Sequence, residues 1–108
     1  MLVKTENPLT KRRTSIPIEE VLSSKGRVRI IETLLKNSEL SISEIVRLTR
    51  LNHNAVEQHL DLLKHAGLVC EKNFGRIRIY SVRNESLVVK AMRSFISLLD
   101  PARTEINK

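Results

Sequence analysis

In residues 52–67, NHNAVEQHLDLLKHAG, a helical step of about 100° per residue gathers Val56, His59, Leu60 and Leu63 in one arc and puts Asn54, Gln58, Asp61 and His65 opposite them. One face can pack on a core while the other meets a ligand. Asn52 suits the N-cap, because its side chain can accept from a backbone N–H of the first turn, and Leu51 and Val56 flank that position as a hydrophobic staple does. Gly67 supplies a left-handed stop. The pattern predicts a helix over 52–66 with both ends marked.

The flanking stretches extend this unit. Upstream, ELSISEIVRLT (39–49) holds Ser41 and Glu44 at the S-x-x-E spacing of a capping box, with Leu40 placed to pack on Ile45. A short helix from 42 to about 50 follows, and only the residues around Leu51 and Asn52 separate it from the next, which is the spacing of a helix-turn-helix. Downstream, LVCEKNFGRIRIYSV (68–82) contains two β-prone segments, 68–72 and 76–82, about a turn expected at Asn73, Phe74 and Gly75. Residues 72–83 carry four positive charges (Lys72, Arg76, Arg78, Arg83) and no acid. A hairpin so charged can lie along a phosphate backbone or place an arginine in a minor groove.

The remaining segments read as support. Pro17 suits the first turn of a short helix over 17–23 that carries Ile18, Val21 and Leu22 inward, with Glu19 and Glu20 near its positive end. A longer helix over 25–37, capped by Ser24 or Ser23, has Val28, Ile31, Leu34 and Leu35 at helical spacing, with Arg27, Arg29 and Lys36 outside. A last helix over 85–100, starting at Asn84 or Ser86, bears a stripe of Val88, Ala91, Met92, Phe95, Ile96, Leu98 and Leu99 too broad for a helix alone in water. Covering part of it with the same helix of a second chain gives an isologous dimer; packing on its own domain is the alternative. Residues 1–15, with Lys11, Arg12 and Arg13, read as a basic arm, 16–100 as one domain, and 101–108 as a tail.

Composition agrees with one domain. The chain has 108 residues, 41% of them hydrophobic, enough for a single core. Its formal charge of +7 and pI near 10.1 suit a polyanionic partner, since clustered Lys and Arg release counterions from phosphates. No stretch approaches the roughly 18 apolar residues of a membrane span, and MLVKTENPLTKRR is too polar for a secretory signal. The expectation is a cytoplasmic protein with no membrane partner. The single cysteine, Cys70, precludes an internal disulfide, and on a wing strand it suits a buried apolar role.

The order helix, helix, helix-turn-helix, basic hairpin, helix resembles the winged helix-turn-helix transcriptional regulators, most closely those of the ArsR type. The resemblance covers residues 20–99 and rests on SSKGRVRIIETLL, ELSISEIVRLT, LNHNAVEQHLDLLKHAGLV and FGRIRIYSV. It implies a mainly α fold with a small β-hairpin wing, double-stranded DNA as partner, helix 52–66 in the major groove, wing 72–79 on the backbone or minor groove, and terminal helices that dimerise. Carried over by position, it makes His53, Asn54, Ala55, Glu57 and Gln58 candidate base readers, with Asn54 and Gln58 foremost because each can pair bidentately with adenine N6 and N7. Glu57 departs from the family, where a small hydroxyl residue is usual. Arg27, Arg29, Ser41, Lys72, Asn73, Arg76 and Arg78 become candidate backbone or wing contacts, and Val88, Ala91, Met92, Phe95, Ile96 and Leu99 a candidate dimer surface.

Other chemistries find less support. Metal-sensing members carry paired cysteines where this chain has Ser41 and Ser43, and a hydroxyl cannot replace a thiolate as a soft ligand. His53, His59 and His65 step about 240° around the helix and cannot share one face as chelating i, i+4 histidines do. No metal or cofactor is expected. Nor is an enzyme, because no Gly-rich phosphate loop and no nucleophile with an adjacent base stand out. Three functions remain: a homodimeric, sequence-specific regulator of transcription; an architectural protein that coats DNA with little preference; and a winged-helix module for protein interaction.

Overall fold

The structure, a computed structural model, describes residues 16–99. The proposed arm (1–15), the tail (101–108) and residue 100, the expected end of the last helix, lie outside these residues, as does the side chain of Ile18. The described chain runs α1 (Ile18–Leu22), α2 (Lys25–Lys36), β1 (Leu40–Ser41), α3 (Ile42–Thr49), α4 (His53–His65), β2 (Val69–Phe74), β3 (Ile77–Val82) and α5 (Leu87–Leu99). The strands form one antiparallel sheet in the order β1-β3-β2. This is a mainly α winged helix-turn-helix.

Pro17 is extended (φ −63°, ψ 148°) and stands at the N-cap of α1 rather than inside it. Val21 is buried as expected, whereas Leu22 faces solvent. In α2, Ser24 is the cap, its side chain accepting from Arg27 N–H at 3.1 Å. The buried residues of α2 are Ile30, Ile31 and Leu34, with Val28 and Leu35 at the edges. The inward arc is therefore rotated relative to the expected one, and Arg27, three residues before Ile30 and seven before Leu34, falls on its inner side.

The capping box of α3 is complete: Glu44 N–H donates to Ser41 Oγ at 3.2 Å, and Ser41 N–H donates to Glu44 Oε1 at 2.8 Å. Ser41 also ends β1, whose pairing of Leu40 with Tyr80 and Ser41 with Ile79 adds a third strand that local sequence did not signal. Tyr80, Leu40 and Val82 close the core on the sheet side, while Ile45, Val56, Leu60 and Leu63 close it on the helix side.

The hairpin turn is tighter than expected. Strand pairing runs from Val69 with Val82 to Phe74 with Ile77, so Asn73 and Phe74 belong to β2 and only Gly75 and Arg76 are left to turn. Gly75 has φ 61°, a positive φ that glycine adopts at no steric cost in a two-residue hairpin turn. With this turn the side chains alternate consistently: Val69, Glu71 and Asn73 share a sheet face with Arg78, Tyr80 and Val82, and Lys72 and Phe74 share the other with Ile77 and Ile79.

Candidate nucleic-acid interface

The turn between α3 and α4 is fixed by three local devices. Thr49 is buried and its hydroxyl donates to Ile45 O at 2.7 Å while accepting from Leu51 N–H at 3.4 Å. Arg50 adopts the left-handed conformation (φ 62°), and its N–H donates to Val46 O at 2.9 Å, ending α3. Asn52 then caps α4, accepting from Ala55 N–H at 2.8 Å. A side-chain cap of this kind contributes about 1 kcal/mol. At its far end α4 stops at Gly67 (φ 79°), with Leu68 N–H donating to Leu63 O and Gly67 N–H to Lys64 O, both at 3.0 Å, in a Schellman arrangement.

Val56, Leu60 and Leu63 hold the inner face of α4 in the core. His59 is half-buried beside them, with Nδ1 buried and without a hydrogen-bond partner among the described residues. Burial first, then the nearby Arg27 charge, push its pKa below the ordinary value. Gly26 lets α2 approach this point: a Cβ there would stand 3.2 Å from His59 Nε2 and 3.3 Å from Leu51 Cδ1.

The outer face of α4 presents His53, Asn54 and Gln58 to solvent, with Asp61 and His65 further along. Ala55 is half-buried, and its N–H is held by the cap. Glu57 lies at the edge of this face and forms an ion pair with Arg78 of the wing. The Arg78 hydrogen bond holds the Glu57 carboxyl below the usual carboxylate range. A second ion pair, Lys64 Nζ to Glu71 Oε1 at 2.5 Å, joins the other end of α4 to β2.

The expected backbone contacts are distributed unevenly. Lys72 pairs with Glu39 at 2.6 Å, Arg78 with Glu57, and Asn73 and Arg76 are exposed at the wing's end. Arg27 is turned inward, its guanidinium donating to Glu20 O and its Nε buried without a hydrogen-bond partner among the described residues. Arg29 is exposed yet donates from Nη1 to Thr49 O at 3.1 Å, bracing the turn before α4. Two exposed cations that sequence reading passed over, Arg47 and Arg50, lie at the C-terminal end of α3. Their signal was positional: they are the basic residues just before the turn into α4.

Along α5, Ser86 Oγ accepts from Val89 N–H at 3.2 Å and so opens the helix. Val89 is its one buried residue, and Met92 packs half-buried against the core. Arg93 ties the helix to its own domain by donating to Leu35 O and Asn84 Oδ1, both at 2.9 Å. Of the candidate dimer residues, Val88, Ala91, Phe95 and Leu99 are exposed, and Met92 and Ile96 are half-buried.

The fold has well-matched relatives. The sequence model described as the bacterial regulatory protein arsR family matches residues 24–70, from the α2 cap through α4 into β2. HlyU from Vibrio cholerae N16961 superposes with a TM-score of 0.66 at 30% identity, covering 76% of this chain and 86% of that one. The chain belongs to the ArsR family of winged helix-turn-helix regulators. Among other relatives, the HTH-type transcriptional regulator Rv2034 of Mycobacterium tuberculosis is 37% identical over 57 residues, 53% of this chain. That match spans 53% of the relative's own length, so it reaches about half of that regulator. A possible ArsR-family regulator of Mycobacterium bovis, described as a homodimeric winged helix-turn-helix DNA-binding domain, superposes with a TM-score of 0.64, covering 82% of this chain and 79% of that one; at 22% identity the likeness is one of fold. Among the described residues, no helix of this family member is long and apolar enough to cross a membrane.

Proposed function

We propose that this protein is a dimeric, sequence-specific regulator of transcription that binds double-stranded DNA, with α4 in the major groove and the wing on the backbone or minor groove. The observation that carries the reading is the solvent face of α4, where Asn54 and Gln58 stand exposed one helical turn apart on a helix capped at both ends and anchored by its other face. Asn and Gln can each make a bidentate pair with adenine, worth about 1–3 kcal/mol of discrimination. His53 and Ala55 complete the leading turn. Arg76 on the wing and Arg47 and Arg50 beside the turn are exposed cations suited to phosphate contact, with Asn73 and Ser41 as further polar candidates.

Dimerisation through α5 is the second part of the proposal. Val88, Phe95, Leu98 and Leu99 are exposed on one side of the helix, and a second copy of the same face would cover them about a two-fold axis. The Mycobacterium bovis relative, described as homodimeric, supports dimerisation by analogy. An architectural coat is less well supported, because Lys72 and Arg78 are neutralised by Glu39 and Glu57, which reduces the wing's free charge.

Selection of duplexes from a random pool, followed by affinity for the best duplex and its scramble at two salt concentrations, tests the reading. The expected result is an enriched inverted repeat bound at least about a thousandfold more tightly than the scramble. Equal, steeply salt-dependent binding to both would point to the architectural function, and binding to neither to a protein-interaction module.

A further inference from the structure

The ion pair between Glu57 and Arg78 joins two groups that position alone would send separately to DNA. Glu57 sits in the second turn of α4, among the base-reading candidates, and Arg78 lies on β3, 21 residues away. On the sheet, Arg78 shares a face with Glu71 and the buried Tyr80, as strand alternation and the pairing of Asn73 with Arg78 and Glu71 with Tyr80 require. Along α4, Glu57 and Lys64 are two turns apart and so occupy one side of the helix. The two pairs, Glu57 with Arg78 and Lys64 with Glu71, therefore cross the same seam between reading helix and wing with opposite polarity. They set the wing in one register against α4 and disfavour a shifted one, which would bring like charges together.

The chemical consequence concerns readout. A free carboxylate at this point of a recognition helix would repel phosphates and would accept a hydrogen bond from the amino group of cytosine. Held by a guanidinium, it does neither, and the guanidinium in turn is taken from the phosphates. We propose that Arg78 is a positioning residue of the wing that withdraws Glu57 from base readout, so that specificity falls to Asn54 and Gln58 and wing affinity to Arg76. This rests on the DNA-binding function proposed above.

Binding-site selection and duplex affinity for the wild type, Arg78→Gln and the double variant Glu57→Ala with Arg78→Gln test it. In Arg78→Gln the released Glu57 should shift one base preference towards cytosine and weaken the wild-type site about tenfold or more, the scale of one base contact. Removing the carboxylate in the double variant should restore the original preference and bring affinity to within about threefold of the wild type. Uniform weakening on all sequences, equal in the single and double variants, would make Arg78 a phosphate contact and overturn the proposal while leaving the DNA-binding function standing. A wild type without sequence preference would overturn both. Carboxyl NMR titration of the DNA-free protein checks the pair itself: the Glu57 pKa should rise towards the ordinary carboxylate range in Arg78→Gln, and an unchanged value would also refute the proposal.

Discussion

Helices α4 and α5 are both thirteen residues long and both carry apolar stripes, yet they end in different environments. In α4 the stripe is finished within the chain: Val56, Leu60 and Leu63 are no more than 1% exposed, closed in by α2, α3 and the sheet. In α5 one residue, Val89, is buried, while Phe95 is 61%, Leu99 70% and Leu98 82% exposed. The same periodicity thus produced a core helix in one place and an open apolar face in the other. A stripe says that a surface must be covered; topology decides what is available to cover it. Among the described residues α5 touches its domain along one edge and leaves its other side open, and that open side is the face on which the proposed dimer would form.

Truncating each stripe should expose that contrast most strongly. Leu60→Ala leaves a cavity in a closed core and should cost about 2–5 kcal/mol in urea unfolding. Phe95→Ala, measured at concentrations where the chain is monomeric, should change stability by less than about 0.5 kcal/mol. Comparable losses at the two positions would mean that the Phe95 side of α5 is also covered by its own chain.

The open face can be tested by charge. Phe95→Asp should raise the self-association Kd at least about tenfold in sedimentation equilibrium, because a carboxylate in the centre of an apolar contact would be desolvated without a partner. An unchanged Kd would place the dimer contact on another surface, and a wild type monomeric at high concentration would remove the dimer altogether.

A smaller effect qualifies the closure of α4. His59 lies on its inner side, with its pKa held below the ordinary value of 6.5 by burial and by Arg27. As pH falls, the unfolded chain takes up this proton first, so the contribution of neutral His59 is full above about pH 6.5 and is lost as pH falls through the lower folded-state value. The wild type should therefore lose more stability between pH 7 and pH 5 than His59→Gln does, read from paired denaturant titrations. Equal losses would show that His59 titrates freely in the folded state.

Features set within a few residues were legible in the sequence. The Asn52 cap, the Gly67 stop and the Ser41–Glu44 capping box are local devices, and each is present where its residues stand. Features set by distant partners were not. The two-residue strand β1 exists because β3 pairs with it, and the hairpin turn moved to Gly75 and Arg76 because the pairing of β2 with β3 carried Phe74 into β2. Long basic side chains were the least legible. Arg27 and Arg29 bond to the carbonyls of Glu20 and Thr49, and Arg78 to a carboxylate on α4. Nothing local distinguishes an arginine that braces the fold from one free for a phosphate. The exposed face of α4 was read directly, because amphipathic spacing placed Asn54 and Gln58 opposite the core.

The most direct measurement of that face is the binding of Asn54→Ala and Gln58→Ala to the enriched duplex, to its single-base variants and to its scramble. Loss of discrimination at defined adenine positions, about ten- to hundredfold each, with binding to the scramble unchanged, is the predicted result. Equal weakening on every duplex, or no change on any, would contradict base readout by α4.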